Sequence, residues 1–301
     1  MKMIKYILFS FFISLLIGCG GEKGSDDVAK DDSSVEDNQT EVLAISTDLN
    51  SNNIFLDETT NLVWINDTKD TTIKKDFTQA QDYCKNLNID KYSDWRIPSL
   101  KELFTIVDTT NYNPAVKDIF SYTAPSGYWS SDSYPLDNNL IMGINFYDGS
   151  DGLSNKTTVN YIRCVSGEEL ANLSFVRDEI DEVVESSKMV QFQDNSEVKE
   201  NFVIYEDAIS YCDKLDLSNK SDWRIPTINE LRSIVDRDSP NPAINQKFLN
   251  NANEFFWSST PYQQNKEKIW TIFFRDGVDY QSSKTDKAYI RCVREVKYET
   301  R

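Results

Sequence analysis

Histidine is absent from the 301 residues. That absence removes Ser-His-Asp and Cys-His nucleophile systems, His-ligated zinc and acid/base chemistry on an imidazole. Positive charge is scarce: 32 Lys and Arg stand against 49 Asp and Glu, for a formal net charge of −17. A chain this acidic, with no basic run, repels nucleic acid and anionic lipid surfaces, so no nucleic-acid partner is expected. A long apolar run is also missing. Ile7 to Ile17 is apolar except for Ser10 and Ser14, but it falls well short of the roughly 20 residues that span a bilayer as a helix. Aromatic residues, by contrast, make up 12% of the chain, enough for a real core beyond residue 50.

The short apolar run has another use. Lys2 and Lys5 precede it and Leu16-Ile17-Gly18-Cys19 closes it, the pattern of a signal-peptide core ending in a lipobox. Residues 1–18 are therefore expected to be removed, with Cys19 carrying lipid and anchoring the chain to a membrane. Loss of Lys2 and Lys5 takes the mature chain from −17 to about −19. Residues 20–50 hold nine acidic side chains against Lys23 and Lys30. A segment so poor in apolar surface cannot offset its chain entropy by burial, so residues 19–50 read as a disordered acidic tether. Gly20 follows the cysteine where an Asp would signal inner-membrane retention. The expected address is the cell envelope, at the outer membrane or the cell surface.

Beyond the tether the chain repeats itself. Ser93-Asp94-Trp95-Arg96-Ile97-Pro98 returns as Ser221-Asp222-Trp223-Arg224-Ile225-Pro226, at an offset of 128 residues. Over 93–108 against 221–236, 11 of 16 positions are identical. The same offset carries Trp129-Ser130-Ser131 onto Trp257-Ser258-Ser259, and Tyr161-Ile162-Arg163-Cys164-Val165 onto Tyr289-Ile290-Arg291-Cys292-Val293. Two units follow, at 51–166 and 175–294, joined by Gly167 to Ser174. Each unit has one early and one late cysteine, Cys84 and Cys164 or Cys212 and Cys292. Four cysteines allow three pairings. Pairing within each unit is the simplest in an oxidising compartment. Free buried thiols or a four-cysteine metal site are the rivals, although Cys-x-x-Cys spacing is lacking.

Periodicity gives both units one plan. Phe77, Ala80, Cys84 and Leu87 share a helix face behind an Asp76 N-cap, as do Tyr205, Ala208, Cys212 and Leu215 in the second unit. Ser99 with Glu102, and Thr227 with Glu230, are capping boxes that open a second helix. Its core face is Leu103, Ile106 and Val107, or Leu231, Ile234 and Val235. Strands are expected at 128–130, 140–147 and 161–165, and at 256–258, 268–274 and 289–293. Asp148-Gly149 and Asp276-Gly277 sit at hairpin turns. The sum is an α+β class: per unit, two helices and a small antiparallel sheet closed by one disulfide.

The segments Ser-Asp-Trp-Arg-Ile-Pro-x-x-x-Glu-Leu, Tyr/Phe-Trp-Ser-Ser and Tyr-Ile-Arg-Cys-Val resemble the Lcl C-terminal domain family, in two tandem copies. The resemblance implies a C-type lectin-like fold and a role in surface binding or adhesion, with no catalytic residues to carry over. The second copy departs at its opening strand, where Val190-Gln191-Phe192 replaces Leu62-Val63-Trp64.

Trp95, Arg96, Trp223 and Arg224 are the candidate binding residues, since an indole face beside a guanidinium can hold a ligand. Such a Trp is more often core, and such an Arg more often seals a turn with a carboxylate. Trp129 and Trp257 read as core, and Arg163 and Arg291 as buried ion-pair partners. The loop Asp148-Gly149-Ser150-Asp151-Gly152 hints at calcium, and Asp276 with Asp279 repeats two of its carboxylates. Calcium requires six to eight oxygens, so a turn explains the loop better and no metal or cofactor is expected. Three functions remain: a binding or adhesion module for an extracellular polymer or protein, using paired domains for avidity; a purely structural envelope protein; or, last, an enzyme of the formylglycine-generating type, which needs free thiols.

Overall fold

The computed structural model describes residues 54–178, 182–185 and 190–296. The expected signal peptide, lipidated Cys19 and acidic tether lie outside the described residues. Both copies build two helices and two sheets, in the same order.

In the first copy β1 (Ile54–Asp57) pairs antiparallel with β2 (Leu62–Ile65), and β8 (Val165–Ser166) adds to β2. A second, five-stranded sheet runs β3 (Lys74–Lys75), β7 (Asn160–Tyr161), β4 (Gly127–Ser133), β5 (Leu140–Asn145), β6 (Ser150–Asn155). Between β3 and β4 lie α1 (Phe77–Lys85) and α2 (Leu100–Ile106). The Asp76 carboxylate accepts from the Gln79 amide and caps α1. The Ser99–Glu102 capping box is formed at α2.

The second copy repeats this after one added strand. β9 (Phe175–Asp178) pairs with β10 (Glu182–Glu185), followed by β11 (Val190–Gln193), β12 (Phe202–Val203), α3 (Tyr205–Lys214) and α4 (Ile228–Ile234). Then come β13 (Phe255–Pro261), β14 (Lys268–Phe273), β15 (Val278–Ser283), β16 (Ala288–Tyr289) and β17 (Val293–Glu295). The Trp64-to-Phe192 exchange does not weaken the opening strand. Phe192 is 1% exposed and stacks edge-on with Phe248.

Two sequence expectations change. Each copy has two sheets instead of one, and the five-stranded sheet is mixed, since β7 pairs parallel to β4 at Tyr161 and Tyr128. The strand expected at 161–165 is broken: Tyr161 belongs to one sheet and Val165 to the other. The residues between, Ile162, Arg163 and Cys164, carry the chain from sheet to sheet. Arg163 and Cys164 bind inward partners there, which a regular ladder would not allow. Cys164 bonds Cys84 of α1, and Cys292 bonds Cys212 of α3, so each disulfide ties the first helix to this crossing segment.

The two copies pack through matching surfaces. The Tyr134 hydroxyl donates to Asp276, and its counterpart Tyr262 donates to Asp148, the counterpart of Asp276. Phe104 and Arg232 occupy equivalent positions and touch, the guanidinium carbon lying 4.0 Å from the ring centroid. The Asp279 amide donates to its own counterpart, Asp151. Contacts that exchange in this way, and equivalent residues that meet, define a pseudo-two-fold axis between the copies. The joint at 167–174 is held as well: the Leu170 amide donates to Glu102, and Leu170 packs on the first core.

Candidate functional site

The residues singled out from the sequence hold the fold together. Trp95 is 3% exposed and its Nε1 donates to the Tyr92 carbonyl at 3.1 Å. Arg96 forks onto both oxygens of Glu102 at 2.7 Å each. The same Glu102 closes the cap of α2, so one carboxylate fixes both the Trp-Arg-Ile-Pro turn and the helix it feeds. Burial opposes ionisation of Glu102, yet the Arg96 guanidinium and the Ser99 amide hold its carboxyl below the usual range. Trp223, Arg224 and Glu230 repeat the arrangement, with Nε1 of Trp223 on the Lys220 carbonyl at 3.0 Å. In both copies the indole is buried and the guanidinium is taken by the glutamate that caps the following helix, the turn-sealing arrangement weighed against a binding platform. Trp129 and Trp257 are fully buried.

Arg163 and Arg291 are buried ion-pair partners, and the copies neutralise them differently. Arg163 lies 3.2 Å from Asp70, while Arg291 lies 2.7 Å from Asp194. These acids are not equivalent positions: the 128-residue offset pairs Asp70 with Val198 and Asn66 with Asp194. The counter-charge has moved four residues along the chain while the guanidinium stayed, over Phe120 in one copy and Phe248 in the other. Desolvation pushes Asp70 up to about 7 despite the adjacent Arg163.

The acidic turns face the copy interface. Asp151 accepts from Arg237 at 2.8 Å and from the Asp279 amide at 2.9 Å, and Asp279 accepts from Arg232. Arg232 also donates to the Gly149 carbonyl, and Arg237 to that of Gly277. Asp151 is driven up to about 7 by burial and by Asp279 beside it. Among the described residues no group of three or more metal-ligating side chains is arranged to hold an ion. Gly149 and Gly277 sit at φ +82° and +79°, where the hairpin demands a left-handed residue.

A groove that the sequence reading did not single out opens on the five-stranded sheet of the first copy. It encloses about 450 Å³, within the roughly 300–1,000 Å³ range of small-molecule sites. Its floor is Gly127, Gly143 and Gly152, on neighbouring strands β4, β5 and β6. Gly143 pairs with both Trp129 and Gly152. A Cβ on Gly143 would come within 2.3 Å of the Tyr128 carbonyl oxygen, whereas one on Gly152 would meet nothing within 4 Å. Asn145, Asn160, Ser126 and Ser154 line the walls, with Tyr147 and Leu153 exposed at the rim. The side chains of Ser126, Ser154 and Asn160 have no hydrogen-bond partner among the described residues. No Asp, Glu, Lys or Arg lines the groove.

The second copy fills the same place. Phe255, Phe273 and Tyr280 stand where the first copy has Gly127, Asn145 and Gly152. Phe255 stacks on Phe273 with centroids 4.5 Å apart, and Tyr280 meets Phe255 edge-on at 5.3 Å. A size exchange accompanies this: Gly127 sits against Asn160, whereas Phe255 is matched by Ala288. The signal was present in the sequence, as glycines in one repeat aligned with aromatics in the other, but only the sheet register shows that they share a face.

No curated protein matches the chain at a significant level. The family model described as the Lcl C-terminal domain matches twice, over residues 53–166 and 181–294. The two matches take in both disulfides, both Trp-Arg-Ile-Pro turns and the groove, and the chain belongs to the Lcl C-terminal domain family.

Proposed function

We propose that the protein is a lipid-anchored binding module of the bacterial cell envelope, displayed at the outer membrane or cell surface, and that it captures an extracellular ligand without turning it over. The observation that carries this reading is the groove of the first copy, a preformed concavity with unpartnered polar groups and no carboxylate, amine or guanidinium in its lining. A disulfide from the first helix to the segment between the last two strands resembles the bridge of C-type lectin-like domains and supports recognition as the theme. Family membership supports the same theme. The formylglycine-generating alternative loses ground because all four cysteines of the described residues are disulfide-bonded. The lipobox at Cys19 supports the membrane anchor.

The test is to present the purified full-length chain to a panel of polysaccharides, matrix proteins and envelope fractions. Saturable binding with the ligand recovered unchanged is the expected result. Consumption of a ligand, or failure to bind any of them, overturns the reading. Fractionation of cells carrying Cys19→Ser tests the anchor: the variant should leave the membrane fraction.

A further inference from the structure

We infer that the groove of the first copy is a site for a neutral saccharide, and that the second copy is closed to it, so each chain binds one ligand segment. This rests on the binding reading above.

The chemistry of the lining chooses the ligand class. In a chain of net charge −17, the groove presents only amides, hydroxyls, glycine backbone and apolar carbon. A cationic ligand finds no carboxylate to pair with there. An anionic one finds no Lys or Arg, and meets the negative field of the whole molecule. Asn160, Ser126 and Ser154 each donate and accept hydrogen bonds, as a sugar hydroxyl does, and none is satisfied from within. The exposed Tyr147 ring at the rim offers an apolar face of the kind that packs on the carbon-bound hydrogens of a pyranose. The glycines Gly127, Gly143 and Gly152 carry no side chain across three neighbouring strands, and the space above Gly152 is open to a ring.

A peptide strand fits less well. Strand addition needs a free sheet edge, and the groove lies on the face of the sheet across β4, β5 and β6, not along the outer edge of the end strand β6.

The second copy supplies the control. Phe255, Phe273 and Tyr280 occupy the corresponding face and pack on one another. Copying one of them into the first copy tests the site. Gly152→Tyr reproduces Tyr280, and the open space above Gly152 lets the larger side chain enter without striking the backbone.

The experiment titrates full-length chain with neutral gluco-, manno- and N-acetylglucosamine oligomers by calorimetry, with sulfated and carboxylated glycans and polypeptides alongside. Denaturation midpoints confirm that each variant is folded. Binding of a neutral oligomer at one per chain is expected. It should weaken at least about tenfold in Gly152→Tyr and clearly in Asn160→Ala, and stay within about twofold in Tyr280→Ala. Neutral oligomers binding equally well to wild type and to Gly152→Tyr would overturn the location. Binding confined to charged polymers or polypeptides would overturn the ligand class while leaving the binding module intact. No binding to any probe would overturn both.

Discussion

The relocated counter-charge invites a direct exchange between the copies. Arg163 is fully buried, and its guanidinium is held by Asp70 at 3.2 Å, the Ile65 carbonyl at 2.8 Å and the Thr123 hydroxyl at 2.8 Å. At that separation the Coulomb attraction to Asp70 is about 5 kcal/mol for an effective dielectric constant of about 20. Asp70→Val copies Val198 and strands the arginine without a counter-ion. Removing one partner of a buried pair costs roughly 3–5 kcal/mol. Adding Asn66→Asp copies Asp194 and returns a carboxylate to the guanidinium. It also loses the Asn66 donor to the Ile119 carbonyl, now at 2.8 Å, at a cost of about 1–2 kcal/mol. The double variant should therefore regain about 2 kcal/mol or more over Asp70→Val, although Asn66→Asp alone destabilises. Urea denaturation followed by tryptophan fluorescence reads the cycle. A pH of about 8 keeps Asp70 ionised, since its pKa lies at about 7. A double variant no more stable than Asp70→Val would refute the idea that the two copies solve one buried-charge problem at different positions.

Other outcomes follow from the same geometry. Replacing both Cys84 and Cys164 by Ala opens a loop of separation 80 and should lower stability by about 4.5 kcal/mol in the chain-entropy account, read as a shift in denaturation midpoint. Arg232→Met leaves Asp279 buried beside Asp151 and removes the contact with Phe104, so it should destabilise by roughly 3–5 kcal/mol, with the loss smaller when Asp279 is also replaced by Asn. Stability should depend on pH in two directions. Asp70 and Asp151, raised to about 7, bind protons more tightly folded than unfolded, so their contribution falls as pH rises from about 4 to 7. Glu102 and Glu230, held low, contribute stability that is present above their unfolded pKa and is lost as pH falls further. Thermal melts should therefore peak at a mildly acidic pH, about 5, and a peak above pH 8 would contradict the assignment.

Much of the fold was legible because local chemistry determines it. Asp76, Ser99 and Thr227 cap their helices through bonds to residues three positions on, a signal that lies entirely within a few residues. The disulfides followed from two cysteines per repeat. The crossing from Tyr161 to Val165 was not legible, because β-branched and aromatic residues read as strand whether or not the ladder continues. What breaks it is a set of distant partners, Ile65, Tyr122 and Cys84. The acidic turns resembled a metal loop for the same reason. Arg232 and Arg237 reach the first turn from the other copy, more than eighty residues away, and the second turn from forty or more residues away in their own copy, and nothing local announces them. Trp95, Arg96, Trp223 and Arg224 drew notice because aromatic and guanidinium groups stand out in a sequence, and the structure gives them buried packing and ion pairs to hold. The groove is lined by small residues, Gly127, Gly143 and Gly152, of which Gly152 leaves open space and Gly143 allows the close approach of the Tyr128 carbonyl.

Hydrogen exchange on the full-length chain, with and without the ligand that binds it best, shows which copy holds the ligand. Ligand should slow exchange in the first copy, at 125–127, 143–147 and 152–160, and leave 253–255, 271–275 and 280–288 of the second unchanged. Protection in the second copy, or protection centred on Trp95 and Trp223 with none in the groove, would contradict that placement.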